Sequence, residues 1–93
     1  MNTGSAFEKM VKRARQTPEY WAAGTAVDFA VSVDALMKRK HIKRSELARK
    51  MGTSLLYVTK IMRGDVNLTL DAMAKIAMAL DVTVAVQLID NKE

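Results

Sequence analysis

Residues 38–63 hold nine Lys or Arg residues and one acid, Glu46, whereas the rest of the 93-residue chain has six basic and nine acidic residues. Cations at that density can meet phosphate oxygens, lysine as a point charge and arginine through a planar fork of donors. A charge run alone describes only a solvated face, so the elements that carry it decide its meaning. Other chemistries are poorly served. There is no cysteine, which excludes disulfides and thiolate metal sites and suits a reducing compartment. His41 is the one histidine, without a carboxylate at ligand spacing. No nucleophile–base pair and no phosphate-cradling glycine loop accompany it. The expectation is no catalysis, no metal and no cofactor.

The basic residues fall on two short amphipathic segments within residues 44–64, RSELARKMGTSLLYVTKIMRG. Leu47, Ala48 and Met51 give the first segment one apolar face at helical spacing, and Val58 and Ile61 do so for the second. Gly52 can take the left-handed conformation that ends the first helix. Ser54 stands where a side-chain oxygen caps the second. Two helices crossing over so short a turn present the second one's polar face outward, an arrangement that fits a DNA major groove.

These residues resemble the XRE-type helix-turn-helix family, the lambda-repressor and Cro-like DNA-binding domains. The resemblance rests on Glu46-Leu47-Ala48, Gly52, Ser54, Val58, Lys60-Ile61, Arg63-Gly64 and Asn67-Leu68-Thr69-Leu70, and it runs on to about Leu80. Roughly half the chain is covered, with several motifs in order and register. It implies that Leu55, Leu56 and Lys60 read bases, with Thr59 and Tyr57 nearby. Relatives often carry polar residues in place of Leu55 and Leu56. Leucine cannot hydrogen-bond a base but can pack on a thymine methyl, and the competing reading folds Leu55 back into the core. Lys60 is then the leading candidate for a hydrogen bond to guanine. Phosphate contacts are expected from Lys43, Arg44, Ser45, Thr53, Tyr57, Arg63 and Asn67, with Arg44 the strongest.

Three further departures from the family pattern carry structural expectations. Lys43 stands where a Ser or Thr usually caps the first helix of the motif, so the cap oxygen is missing, at a cost of about 1 kcal/mol. A phosphate contact from Lys43 and a plain solvated lysine are equally open. Met37 and Met62 replace an Arg–Glu pair and are expected to touch. His41 falls where relatives often have glycine, which makes it a left-handed helix end.

The elements around the motif follow from pattern and punctuation. Residues 1–5 read as disordered and residues 6–16 as a helix with Phe7, Met10, Val11 and Ala14 on one side. Thr17 caps and Pro18 opens a helix that stays periodic to about Lys40, roughly 34 Å long. Its first turns, with Tyr20, Trp21, Ala23 and Val27, extend past what one small domain covers, and suit either the N-terminal helix or a subunit interface. Thr69 caps a helix over Leu70–Leu80 with Leu70, Met73, Ile76, Ala77 and Leu80 on its apolar stripe. Val82, Val84, Val86 and Leu88 then alternate as in a strand. A lone strand needs a backbone partner, most simply a second copy across a two-fold axis. A continuation of the last helix is the alternative, opposed by three β-branched valines. The valines are expected to bury against the first core helix near Tyr20 and Val27, leaving Thr83 and Gln87 exposed.

At 49% hydrophobic and 27% charged the chain is an ordinary globular composition, of a length for one domain with a small core. No apolar run spans a membrane and no signal peptide opens the chain, so a soluble cytoplasmic protein is expected. The expected fold is mainly α: a five-helix lambda-repressor-like domain with a long first core helix and a C-terminal β-strand pairing across a homodimer. Residues 1–29 form a helical extension, 30–80 the core and 82–89 the dimerisation strand. Tyr20, Trp21, Val27, Val82, Val84, Val86 and Leu88 make the interface. The leading function is a homodimeric transcriptional repressor on an inverted repeat of double-stranded DNA. The alternative is an antitoxin, which engages a toxin protein and its own operator. A controller of a restriction–modification locus fits the size, although such relatives are usually all-helical.

Overall fold

The computed structural model describes residues 3–92 and consists of five helices: α1 Thr3–Ala14, α2 Pro18–Lys40, α3 Arg44–Met51, α4 Leu55–Met62 and α5 Leu70–Leu80. Three helix starts follow directly from the capping residues. Thr17 accepts a hydrogen bond from the Tyr20 amide at 3.2 Å, Ser54 from Tyr57 at 3.1 Å and Thr69 from Ala72 at 3.0 Å. Each satisfies an amide that the first helical turn leaves open, worth about 1 kcal/mol. Lys43 precedes α3 with no side-chain cap bond, as its chemistry requires.

The ends of α2, α3, α4 and α5 share one geometry. His41, Gly52, Gly64 and Asp81 all adopt positive φ, between 57° and 74°. In each case that residue's amide and the next one reach back to carbonyls of the preceding turn. After α2, His41 N–H donates to Lys38 O at 3.3 Å and Ile42 N–H to Met37 O at 2.9 Å. After α5, Asp81 N–H donates to Met78 O at 3.2 Å and Val82 N–H to Ala77 O at 2.9 Å. This is the Schellman pattern, and it turns the chain sharply enough for Ile42 and Val82 to pack back on the core.

The core is built from Val33 and Met37 of α2, Leu47 and Ala48 of α3, Val58 and Ile61 of α4, and Ile76 and Leu80 of α5. Helix α3 packs on α4 and α5, and α2 packs on α4. Met62 packs against the cluster that contains Met37, so apolar side chains fill the region where the family pattern pairs charges. Leu70 corrects the expected stripe of α5. It is 71% exposed, because it opens the helix beyond the edge of the core, and Ala72 is buried instead.

Helix α1 and the first turns of α2 stand off this core. The radius of gyration is 16.4 Å and the extents are 52 × 29 × 23 Å, against about 13 Å for a compact chain of about 100 residues. Phe7 and Met10 of α1 are 64% and 66% exposed. Helix α1 starts at Thr3, so the expected disorder of residues 1–5 is replaced by helix from that point; Met1 and Asn2 lie outside the described residues. The Trp21 indole donates to Arg15 O at 2.7 Å, and its ring meets Tyr20 edge-on at 5.4 Å. That contact ties the end of α1 to the start of α2 and leaves both rings largely at the surface.

Residues 82–90 form neither strand nor helix. Within one chain no other segment among the described residues is extended beside them, so the expected strand has no partner to pair with. The expected alternation of burial is visible at its start. Val82 and Val84 are half-buried while Thr83, Ala85 and Gln87 are exposed. The segment lines an apolar cavity of about 500 Å³ with Phe29 and Leu36 of α2 and Met73 of α5. Tyr20 and Val27 are not among its walls: α2 lines the cavity from Thr25 onward, past Tyr20, and Val27 lies on another face of the helix, against Gly64. No helix among the described residues is long and apolar enough to cross a membrane.

Candidate nucleic-acid interface

Helix α4 is held by two side chains and exposes the rest. Val58 and Ile61 are buried to 0% and 2% exposure, three residues apart on one face. The Ser54 cap fixes the first turn and the Gly64 turn fixes the last. Leu55 and Leu56, in the first turn, are 51% and 64% exposed. Leu55 therefore does not fold back into the core; Val58 already fills the inward position next to α3. Lys60 is exposed one turn after Leu56, on the same side of the helix, and Thr59 is half-buried. The outward face of α4 thus joins two apolar side chains to one ammonium.

The residues expected at phosphates are spread over the start of α3, the two ends of α4 and the loop before α5. Arg44, the first residue of α3, and Arg63, just after α4, line one open cavity of about 300 Å³ together with Asp34, Val27 and Met62. Sequence spacing gave no sign that these two arginines are neighbours. Thr53 and Tyr57 share a second cavity, of about 270 Å³, with the start of α5, and both are half-buried. Lys43 and Ser45 are exposed at the start of α3, and Asn67 is exposed in the loop before α5. Among the described residues of 38–63, Lys38 alone has an ion-pair partner, Asp34 at 2.9 Å. Lys43, Arg44, Lys60 and Arg63 carry charge that no carboxylate among the described residues offsets within salt-bridge distance.

One positioning contact was not visible in the sequence. A Cβ on Gly64 would lie 3.0 Å from Val27 Cγ2 and 3.6 Å from Val27 Cα, and Gly64 has φ of 74°. The loop leaving α4 therefore presses directly on α2. Val27, expected at a subunit interface, also supports the end of α4 from within its own chain.

The geometry agrees with comparison to known proteins. A family model for helix-turn-helix domains matches residues 33–87, from the first buried valine of α2 into the C-terminal segment. No match is found among curated proteins or solved structures. With more than half of its length covered, including both helices of the motif and the turn between them, the chain belongs to the XRE-type helix-turn-helix family of DNA-binding transcription regulators.

Proposed function

We propose that the chain is a homodimeric repressor that binds an inverted repeat, with α4 of each protomer in the major groove of one half-site. The observation that carries this reading is the outward face of α4: Leu55, Leu56 and Lys60 are exposed on a helix anchored through Val58 and Ile61. Unpaired cations lie at both the approach to α3 and the end of α4. Leu55, Leu56, Thr59 and Lys60 meet base edges, Lys60 by donating to guanine O6 or N7. Lys43, Arg44, Ser45, Thr53, Tyr57, Arg63 and Asn67 meet phosphates and set the register. Repression follows by occlusion, in the cytoplasm where the DNA is held.

Dimerisation is supported by the C-terminal segment. Its backbone has no strand partner among the described residues of one chain, and Leu88 is 97% exposed while Leu70 beside the tail is also open to solvent. Two tails paired antiparallel about a two-fold axis satisfy each other's amides and bury Val86 and Leu88. Tyr20, Trp21, Val27, Val82 and Val84 complete the interface. Sequencing of genomic fragments bound by the full-length chain tests the reading: an inverted repeat is expected, with a dimer in sedimentation. A direct repeat, or a monomer at all concentrations, counts against it.

A second reading is favoured by the apolar face of α1, where Phe7 and Met10 stand clear of the core. An antitoxin would use such a helix to engage a toxin protein while α4 holds the operator. Co-expression with the product of the adjacent gene distinguishes the two. A complex that persists with the full chain and is lost on removing residues 3–14 supports the antitoxin.

A further inference from the structure

We propose that Leu55 and Leu56 form a reader for pyrimidine C5-methyl groups, so that the recognition face selects thymine or 5-methylcytosine over unmethylated cytosine. The inference rests on the reading of α4 as the helix that enters the major groove. Both leucines are surplus to folding: the inward face of α4 is already filled by Val58 and Ile61, and each leucine is more than half exposed. Leu55 and Leu56 are consecutive and put a small apolar surface on a helix otherwise flanked by lysine, arginine and hydroxyl groups. Leucine has no donor or acceptor, and of the groups that base pairs display in the major groove, the apolar one is the C5-methyl.

The charge around the pair argues for nucleic acid as its occupant rather than a second copy of this chain. Residues 38–63 carry nine cations and one acid. Two such faces repel each other, whereas a phosphate backbone flanking the leucines is attracted to them. Lys60 lies one turn beyond Leu56 on the same side of α4 and is exposed. The face therefore carries one apolar contact and one hydrogen-bond donor in sequence along the helix. Cytosine methylated at C5 offers the same methyl group as thymine without changing its Watson–Crick edge. A cytosine at the step facing the leucines would then be bound more tightly when methylated, making occupancy sensitive to that modification.

Single thymines in each half-site of the selected operator are replaced by deoxyuridine, which removes the methyl and leaves pairing intact. Binding of the full-length chain is measured by fluorescence anisotropy. At one or two positions per half-site the affinity is expected to fall roughly three- to tenfold, the effect of one lost methyl contact. Where cytosine is placed at the same step, 5-methylcytosine is expected to restore a similar factor. In Leu55→Ala and Leu56→Ala the ratio of thymine to deoxyuridine affinities should move toward one at the matching position. Leu56→Met, which keeps an apolar side chain, should retain it. Sequence-specific binding with equal affinities for thymine and deoxyuridine at every position overturns the methyl contact and leaves the reading of α4 standing. Absence of any sequence-specific binding overturns both. A Leu55→Ala/Leu56→Ala chain that loses dimerisation assigns the leucines to a protein interface and also overturns the proposal.

Discussion

At the scale of single residues, the proposed division of labour on α3 and α4 separates two kinds of loss. Arg44 carries an unpaired guanidinium at the start of α3 and shares a cavity with Arg63. Arg44→Ala is expected to weaken binding to operator and random duplex by a similar factor, because phosphates are common to both. Lys60→Ala is expected to reduce discrimination by roughly 1–3 kcal/mol at one base pair of each half-site. Equal losses on every sequence for both variants would remove Lys60 from base reading. Gly64 has a structural role that is separable from these. Its φ of 74° and the 3.0 Å approach of Val27 to its missing Cβ make Gly64→Ala costly by about 1–2 kcal/mol from the left-handed backbone alone. A thermal melt of the variant measures that loss, and an unchanged midpoint would mean that the turn relaxes freely.

At the scale of elements, helix ends were legible in the sequence because capping is local. Thr17, Ser54 and Thr69 need only the amides three residues on, and His41 needs only a carbonyl three residues back. The inward positions of α3 and α4 were legible for the same reason, since Leu47, Val58 and Ile61 repeat at helical spacing. What escaped depends on distant chain. Leu55 was open to two readings because whether an apolar residue is covered depends on what Val58 has already filled. Leu70 fits the stripe of α5 by period but lies past the edge of the core. Arg44 and Arg63 are brought to one cavity along α2 by the tertiary fold, which spacing does not encode. The tail is the sharpest case: alternation of valines gives a strand's pattern, yet a strand also needs a partner's backbone. Deleting residues 82–93 is expected to yield monomers in sedimentation and to lose most operator affinity, because two half-sites are then no longer read together. A truncated chain that remains dimeric would transfer the interface to α2 and to Tyr20 and Trp21.

At the scale of the whole molecule, charge and symmetry govern binding together. In the proposed dimer, three cations per protomer at phosphates, Lys43, Arg44 and Arg63, are expected to make affinity fall steeply with salt. The expected slope of log K against log salt is about −5, or roughly a thousandfold loss between 50 and 200 mM. A slope near −1 in a titration would mean that this face does not meet the backbone. The two copies of α4 are expected about 34 Å apart, one turn of the duplex, so that both enter the groove from the same side.

The central claim is that the outward face of α4 reads sequence while the surrounding cations supply affinity. Its most direct test is the ratio of affinities for the selected inverted repeat and a random duplex, measured at one salt concentration. The full-length chain and its Leu55→Ala/Leu56→Ala/Lys60→Ala variant are compared. The account predicts a ratio on the order of a thousand or more for the native chain. In the variant it should collapse toward one, with random-duplex affinity falling less than about tenfold, since one charge per protomer is removed and the cations placed at phosphates are kept. A variant that keeps the native ratio would contradict the account.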